Sequence, residues 1–152
     1  MPGYSYLFDV DGTLTPAGEG IEKDFFLWFI EWTEGKNFFL ISSLDYGQLY
    51  DKLGPAILNA AGGVFASSGK DVYIQGRRVM HHEMPGHEND KAQIADMLKY
   101  PVVFFGDHIV DHGDDFSLSH EILTRGGNVI PVSNWKDTQK ALIRIEERLR
   151  GL

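Results

Sequence analysis

The feature that most restricts this chain is an apolar and aromatic run, residues 4–8, that stops on two carboxylates, Asp9 and Asp11. Gly12, Thr13 and Pro16 follow and break regular structure. The run predicts a short buried strand with both acids at its carboxyl end. In an open parallel sheet that end is where ligands bind. Once the strand has ended, strand alternation no longer forces Asp9 and Asp11 to opposite faces. Two carboxylates so placed suit phosphoryl transfer. Asp9 is placed to share a magnesium ion with a second acid and to attack phosphorus. Asp11 is placed to protonate the leaving oxygen and later to take a proton from water. The competing account is a strand that ends in a solvated Asp-Gly turn.

The rest of the chain alternates strand and helix patterns. Residues 21–34 place acids among Phe25, Phe26, Leu27, Trp28, Phe29, Ile30 and Trp32, which predicts a helix with a wide apolar face, ended by Gly35. The aromatic crowding reads as core against a sheet. Strands are expected at 37–41, 63–66, 101–105 and 128–132. A hairpin, 71–74 and 77–80 joined by Gln75-Gly76, is expected at one sheet edge. Helices are expected at 45–53 with Asp45 as cap, at 56–61, at 89–100, at 116–124 and at 136–150. In the helix at 89–100, Ile94, Ala95, Met97 and Leu98 form the apolar face. In the last helix Leu142, Ile145 and Leu149 point inward. Loops are expected at 85–88 and from Asp107 to Asp115. This alternation predicts a single α/β domain over 1–152: a Rossmann-like three-layer sandwich with a mainly parallel sheet and a small β-hairpin.

Composition narrows the function. With 43% hydrophobic and 24% charged residues, the 152-residue chain is ordinary for a globular protein with a real core. It has no cysteine, which removes disulfides and thiolate-bound zinc. A net charge of −8 argues against nonspecific nucleic-acid binding. No secretory leader and no membrane-spanning apolar run is evident, so a cytoplasmic protein without a membrane partner is expected.

Three further stretches complete a candidate site. Ser42-Ser43 follows the strand at 37–41 and leads into a helix, where a hydroxyl and backbone N–H groups can seat phosphate oxygens. Ser after a strand is also common turn chemistry. Lys91 begins the helix at 89–100, where a cation beside the nucleophile would hold its carboxylate ionised. A helical lysine is more often simply solvated. Asp107 follows the strand at 101–105 and a Gly, a good place for a metal ligand. Asp111, Asp114, Asp115, His108 and His112 follow within one loop. A solvated acidic turn is the plain alternative, and the spacing lacks the alternate acids and terminal Glu of a calcium-binding EF-hand. The histidines also raise a transition metal, but magnesium is preferred and most of them read as surface or hydrogen-bonded groups.

In this order the four stretches resemble the motifs of the haloacid dehalogenase superfamily of phosphotransferases. The string Leu7-Phe8-Asp9-Val10-Asp11-Gly12-Thr13-Leu14-Thr15-Pro16-Ala17 is similar to the eukaryotic-type phosphomannomutase branch. So are Asp90-Lys91 and Phe105-Gly106-Asp107, after which Gly113 and Asp115 fall in step with the branch. Leu44 stands where that branch has Ser, His108 replaces a customary Lys, and Asp114 replaces Asn. Gly18 stands where the branch has a substrate-contacting Arg. The interval from Ser43 to Lys91 also leaves no room for the branch's cap domain.

The resemblance implies a superfamily core without a cap, acting as a magnesium-dependent phosphatase through an aspartyl-phosphate. Asp9 would be the nucleophile and Asp11 the acid and base. Ser42, Ser43 and Lys91 would bind phosphate. Asp9, the Asp11 carbonyl and Asp107 would hold magnesium, with Asp111, Asp114 and Asp115 behind them. The implied substrate is a phosphosugar or a larger phosphoester, and a homo-oligomer is one way to cover the site. A phosphosugar mutase and a noncatalytic metal- or phosphate-binding relative remain the alternatives.

Overall fold

The computed structural model describes residues 3–81, 92–107 and 116–151. Lys91, His108, His112, Asp111, Asp114 and Asp115, with the loop expected at 85–88, lie outside them.

Seven strands form one sheet in the order β5-β4-β3-β2-β1-β6-β7. They are β1 (Ser5–Asp9), β2 (Asn37–Ile41), β3 (Gly63–Ala66), β4 (Asp71–Ile74), β5 (Arg77–His81), β6 (Val102–Gly106) and β7 (Asn128–Pro131). Pairings among β3, β2, β1, β6 and β7 are parallel, whereas β4 and β5 extend the edge as an antiparallel hairpin. Chain order reverses direction at β1, between β2 and β6, so the end of β1 is a topological switch point.

Alternation in β1 divides the core. Tyr6 and Phe8 join one buried cluster with α1 (Lys23–Trp32), α2 (Tyr46–Leu53), α3 (Pro55–Ala60) and α5 (Trp135–Leu149). Leu7 joins the opposite cluster with Ile94, Leu98, Phe104 and, from α4 (Phe116–Thr124), Leu118 and Ile122. This is the expected three-layer sandwich. Phe8 lies near its centre, stacked on Phe105 at 5.0 Å and edge-on to Phe29 at 5.4 Å. Such aromatic pairs add about 0.5–1.5 kcal/mol each beyond area burial. The aromatic residues of α1 are therefore core on one side, with Phe25, Phe29 and Trp32 buried and Leu27 exposed on the other. Glu22 caps this helix, its carboxylate accepting from Asp24 and Phe25 N–H. Asp45 and Gln48 form a reciprocal capping box on α2.

Two expectations fail. Residues 92–97, placed in an α-helix by periodicity, form a 3₁₀ segment with Ile94 and Ala95 buried but Met97 39% exposed. Pro101 disfavours helix at Tyr100, so the segment is short, and short helical pieces tighten to 3₁₀ geometry. At the other end Leu149, expected inward, is 36% exposed. Leu149 borders an open cleft beside Tyr4, Val103, Asn128 and Val129, so its sheet-facing side is only partly covered. Among the described residues no helix is long and apolar enough to cross a membrane.

Candidate functional site

The parallel register brings three of the four predicted stretches to one rim. Asp9 pairs with Ile41, so Ser42 is the next residue on the neighbouring strand. On the other side Phe8 pairs with Phe105, which sets Gly106 beside Asp9 and Asp107 one residue beyond. Asp9 is 8% exposed and Oδ1 accepts from Val10 N–H at 3.0 Å.

The loop after β1 is a tight coil rather than a simple turn. The Val10 carbonyl accepts from the N–H groups of Thr13, Leu14 and Thr15 at 3.2, 2.9 and 3.2 Å, and Gly12 N–H donates to the Thr15 carbonyl at 2.7 Å. Gly12 has φ +78°, where an L side chain is strained, and its bare face receives the Asp107 carboxylate. A Cβ there would land on Asp107 Oδ2, with the carboxyl carbon 2.6 Å away. The Gly of the Asp-Gly pair is thus required twice, by backbone conformation and by the approach of a second acid. The Thr138 hydroxyl, on α5, donates to the Thr13 carbonyl at 2.7 Å and anchors this coil to the helical layer.

Ser42 is buried, and its Oγ accepts from Leu44 N–H at 3.0 Å. A hydroxyl that accepts in this way still has its own proton to donate. Ser43 is exposed beside it. The Ser42 and Leu44 carbonyls accept from Ser68 and Ser67 N–H at 2.8 Å each, which ties this loop to the end of β3. Ser67 and Ser68 both hold positive φ, +52° and +59°.

The fourth predicted stretch, at Lys91, lies outside the described residues, and so do Asp111, Asp114 and Asp115. The described structure instead shows a cation that sequence reasoning missed. Lys52 Nζ, near the end of α2, donates to Asp11 Oδ1 at 2.9 Å and to the Glu19 carbonyl at 3.3 Å. Thr15 Oγ1 donates to the same Asp11 oxygen at 3.3 Å. A signal for Lys52 existed in the sequence: it lies three residues after Leu49, on the face that α2 buries. Among the histidines, His81 pairs with Asp71 across the exposed hairpin, and His120 is exposed on α4.

The donor set suits a hard cation. Asp9 is buried, and Oδ1 of Asp107 is shielded from solvent on the same rim. Carboxylates brought together out of water call for a compensating positive charge. Among the described residues no three His, Asp or Glu side chains cluster as a metal centre, so an all-side-chain site such as zinc prefers is not formed by them. Two oxygen-donor carboxylates on one rim fit a hard cation such as magnesium.

Several solved structures share this architecture. IMP-bound Plasmodium falciparum IMP-nucleotidase superposes with a TM-score of 0.64 at 10% identity over 95% of this chain and 68% of its own. A haloacid dehalogenase-like hydrolase from Bacillus subtilis gives 0.61 at 12% identity, covering 93% and 88%. A Thermoplasma acidophilum protein gives 0.64 at 15% identity, covering 95% and 98%. The fold is a haloacid dehalogenase-like Rossmann core. No model of a known protein family matches the sequence, so the particular activity rests on the site itself.

Proposed function

We propose that this protein is a magnesium-dependent phosphatase of the haloacid dehalogenase type, a capless core related to the phosphomannomutase branch. The observation that supports this best is the rim itself. A buried Asp9 at the switch point is flanked by Ser42 on one neighbouring strand and by Asp107, seated on Gly12, on the other. The fold neighbours, which include an enzyme called an IMP-nucleotidase, add weight to phosphomonoester chemistry.

Asp9 attacks the phosphorus of a phosphomonoester, and the bond to the leaving oxygen breaks as the Asp9 oxygen-to-phosphorus bond forms. Asp11 gives its proton to that leaving oxygen. Water then attacks the aspartyl-phosphate, Asp11 takes the water's proton, and phosphate and Asp9 are released. The Ser42 hydroxyl and the Ser43 backbone seat phosphate oxygens, with Lys91 as the further cation. Asp9, Asp107 and the Asp11 carbonyl would hold magnesium, which would supply the charge that lets an anionic nucleophile approach an anionic phosphoryl group. Asp111, Asp114 and Asp115 supply outer carboxylates. The stretch from Ser42 to His81 is spent on helices and strands of the core itself, which favours an open site.

The test is phosphate release from a panel of sugar phosphates, nucleoside monophosphates and larger phosphoesters with magnesium, comparing wild type with Asp9→Asn. Release by wild type and loss in the variant are expected. Equal release by both would remove Asp9 as nucleophile, and inertness of wild type across the panel would end the phosphatase reading.

A further inference from the structure

We infer that Lys52 is a positioning residue for Asp11, holding its carboxyl group in one orientation through one oxygen; this rests on the phosphatase reading above. Lys52 Nζ donates to Oδ1 of Asp11 at 2.9 Å, and the Thr15 hydroxyl lies between that oxygen, at 3.3 Å, and the Val10 carbonyl, at 3.4 Å. Among the described residues, Oδ2 receives neither bond. The carboxyl group is thus held through Oδ1.

Lys52 is suited to this. Its side chain is 16% exposed against 38% for Asp11, so the pair is partly withdrawn from water on the lysine side. The same ammonium donates to the Glu19 carbonyl at 3.3 Å, and the Lys52 carbonyl accepts from Ile21 N–H at 3.0 Å. One residue thereby ties α2 to the acid and to the segment that leads from the acid into α1. Leu49 and Leu53, both buried, hold that turn of α2 in the core, so the ammonium is presented from a rigid element. A surface ion pair has no such fixed base and contributes little.

A general acid matters most when the leaving oxygen is a poor anion. The experiment compares an alkyl phosphomonoester, which needs the proton, with 4-nitrophenyl phosphate, whose leaving group departs as a stable anion. Lys52→Met is expected to lower kcat/KM for the alkyl ester about tenfold to a hundredfold, while the nitrophenyl ester stays within about threefold. Lys52→Arg is expected to restore most of the alkyl-ester rate, and Thr15→Val to show the same selectivity more weakly. In metal-free protein the Asp11 carboxyl carbon resonance should move in Lys52→Met and return toward wild type in Lys52→Arg. Equal losses on both esters, with no movement of that resonance, would overturn the positioning role and leave the phosphatase reading intact. A wild type inert to both esters would overturn the two together.

Discussion

Replacing Gly12 with Ala tests the approach of the β1 loop and the β6 loop without any substrate. Two separate costs follow from the structure. At φ +78° a residue with a Cβ costs about 1–2 kcal/mol relative to Gly. The added methyl would also occupy the place of Asp107 Oδ2, and forcing a neighbour aside in a packed site costs about 1–3 kcal/mol. Gly12→Ala should thus lose about 2–5 kcal/mol in urea unfolding of the metal-free protein. The two costs separate in a double-mutant cycle with Asp107→Ala. That change removes the carboxylate and leaves the Asp107 Cβ, 3.2 Å from the new methyl, which a shift of a few tenths of an ångström relieves. In the Asp107→Ala background the Gly12 substitution should keep only its backbone cost. The cycle should report a coupling of about 1–3 kcal/mol. Strict additivity would refute the claim that the Asp107 carboxylate rests on Gly12.

Three other outcomes follow. Thr138→Val leaves the buried Thr13 carbonyl without its 2.7 Å partner and should cost about 1–3 kcal/mol in urea, with the phosphatase rate falling as the coil loosens. Burial, then Glu146 and Tyr4, push the Tyr6 hydroxyl up to about 12. Its native form therefore holds a proton that the unfolded chain releases, so stability should fall as pH rises from about 10 to 12, by at most about 2–3 kcal/mol, and Tyr6→Phe should flatten that slope in alkaline unfolding curves. Magnesium should raise the midpoint of thermal unfolding of wild type, as binding to the folded state requires, and Asp107→Asn should abolish the rise; an equal rise in the variant would remove Asp107 as a ligand.

The architecture was legible because its signals are local. Apolar runs bounded by Gly, Pro or Ser fixed β2, β3 and β4 to the residue, and Asp45 announced the start of α2. Asp9, Ser42 and Asp107 were legible as a group because strand ends in a parallel sheet share a rim, so sequence position after an apolar run becomes position in space. Contacts made across the chain were not legible. Thr138 lies 125 residues from the carbonyl that it holds, and Lys52 lies 41 residues from Asp11. Periodicity alone also cannot separate α from 3₁₀ geometry at 92–97, nor show that the cleft beside Leu149 stays open. Lys91 and the acids beyond Asp107 carry a family likeness in sequence, and their test is chemical.

The central claim is that Asp9 becomes phosphorylated. The direct measurement is the mass of the protein quenched in acid during turnover with magnesium and a phosphomonoester, followed by peptide mapping. A single phosphoryl group on the peptide containing Asp9, absent in Asp9→Asn and lost on return to neutral pH, is the predicted result. Turnover with the label on another residue, or with no protein-bound phosphoryl group under conditions that preserve acyl phosphates, would contradict it.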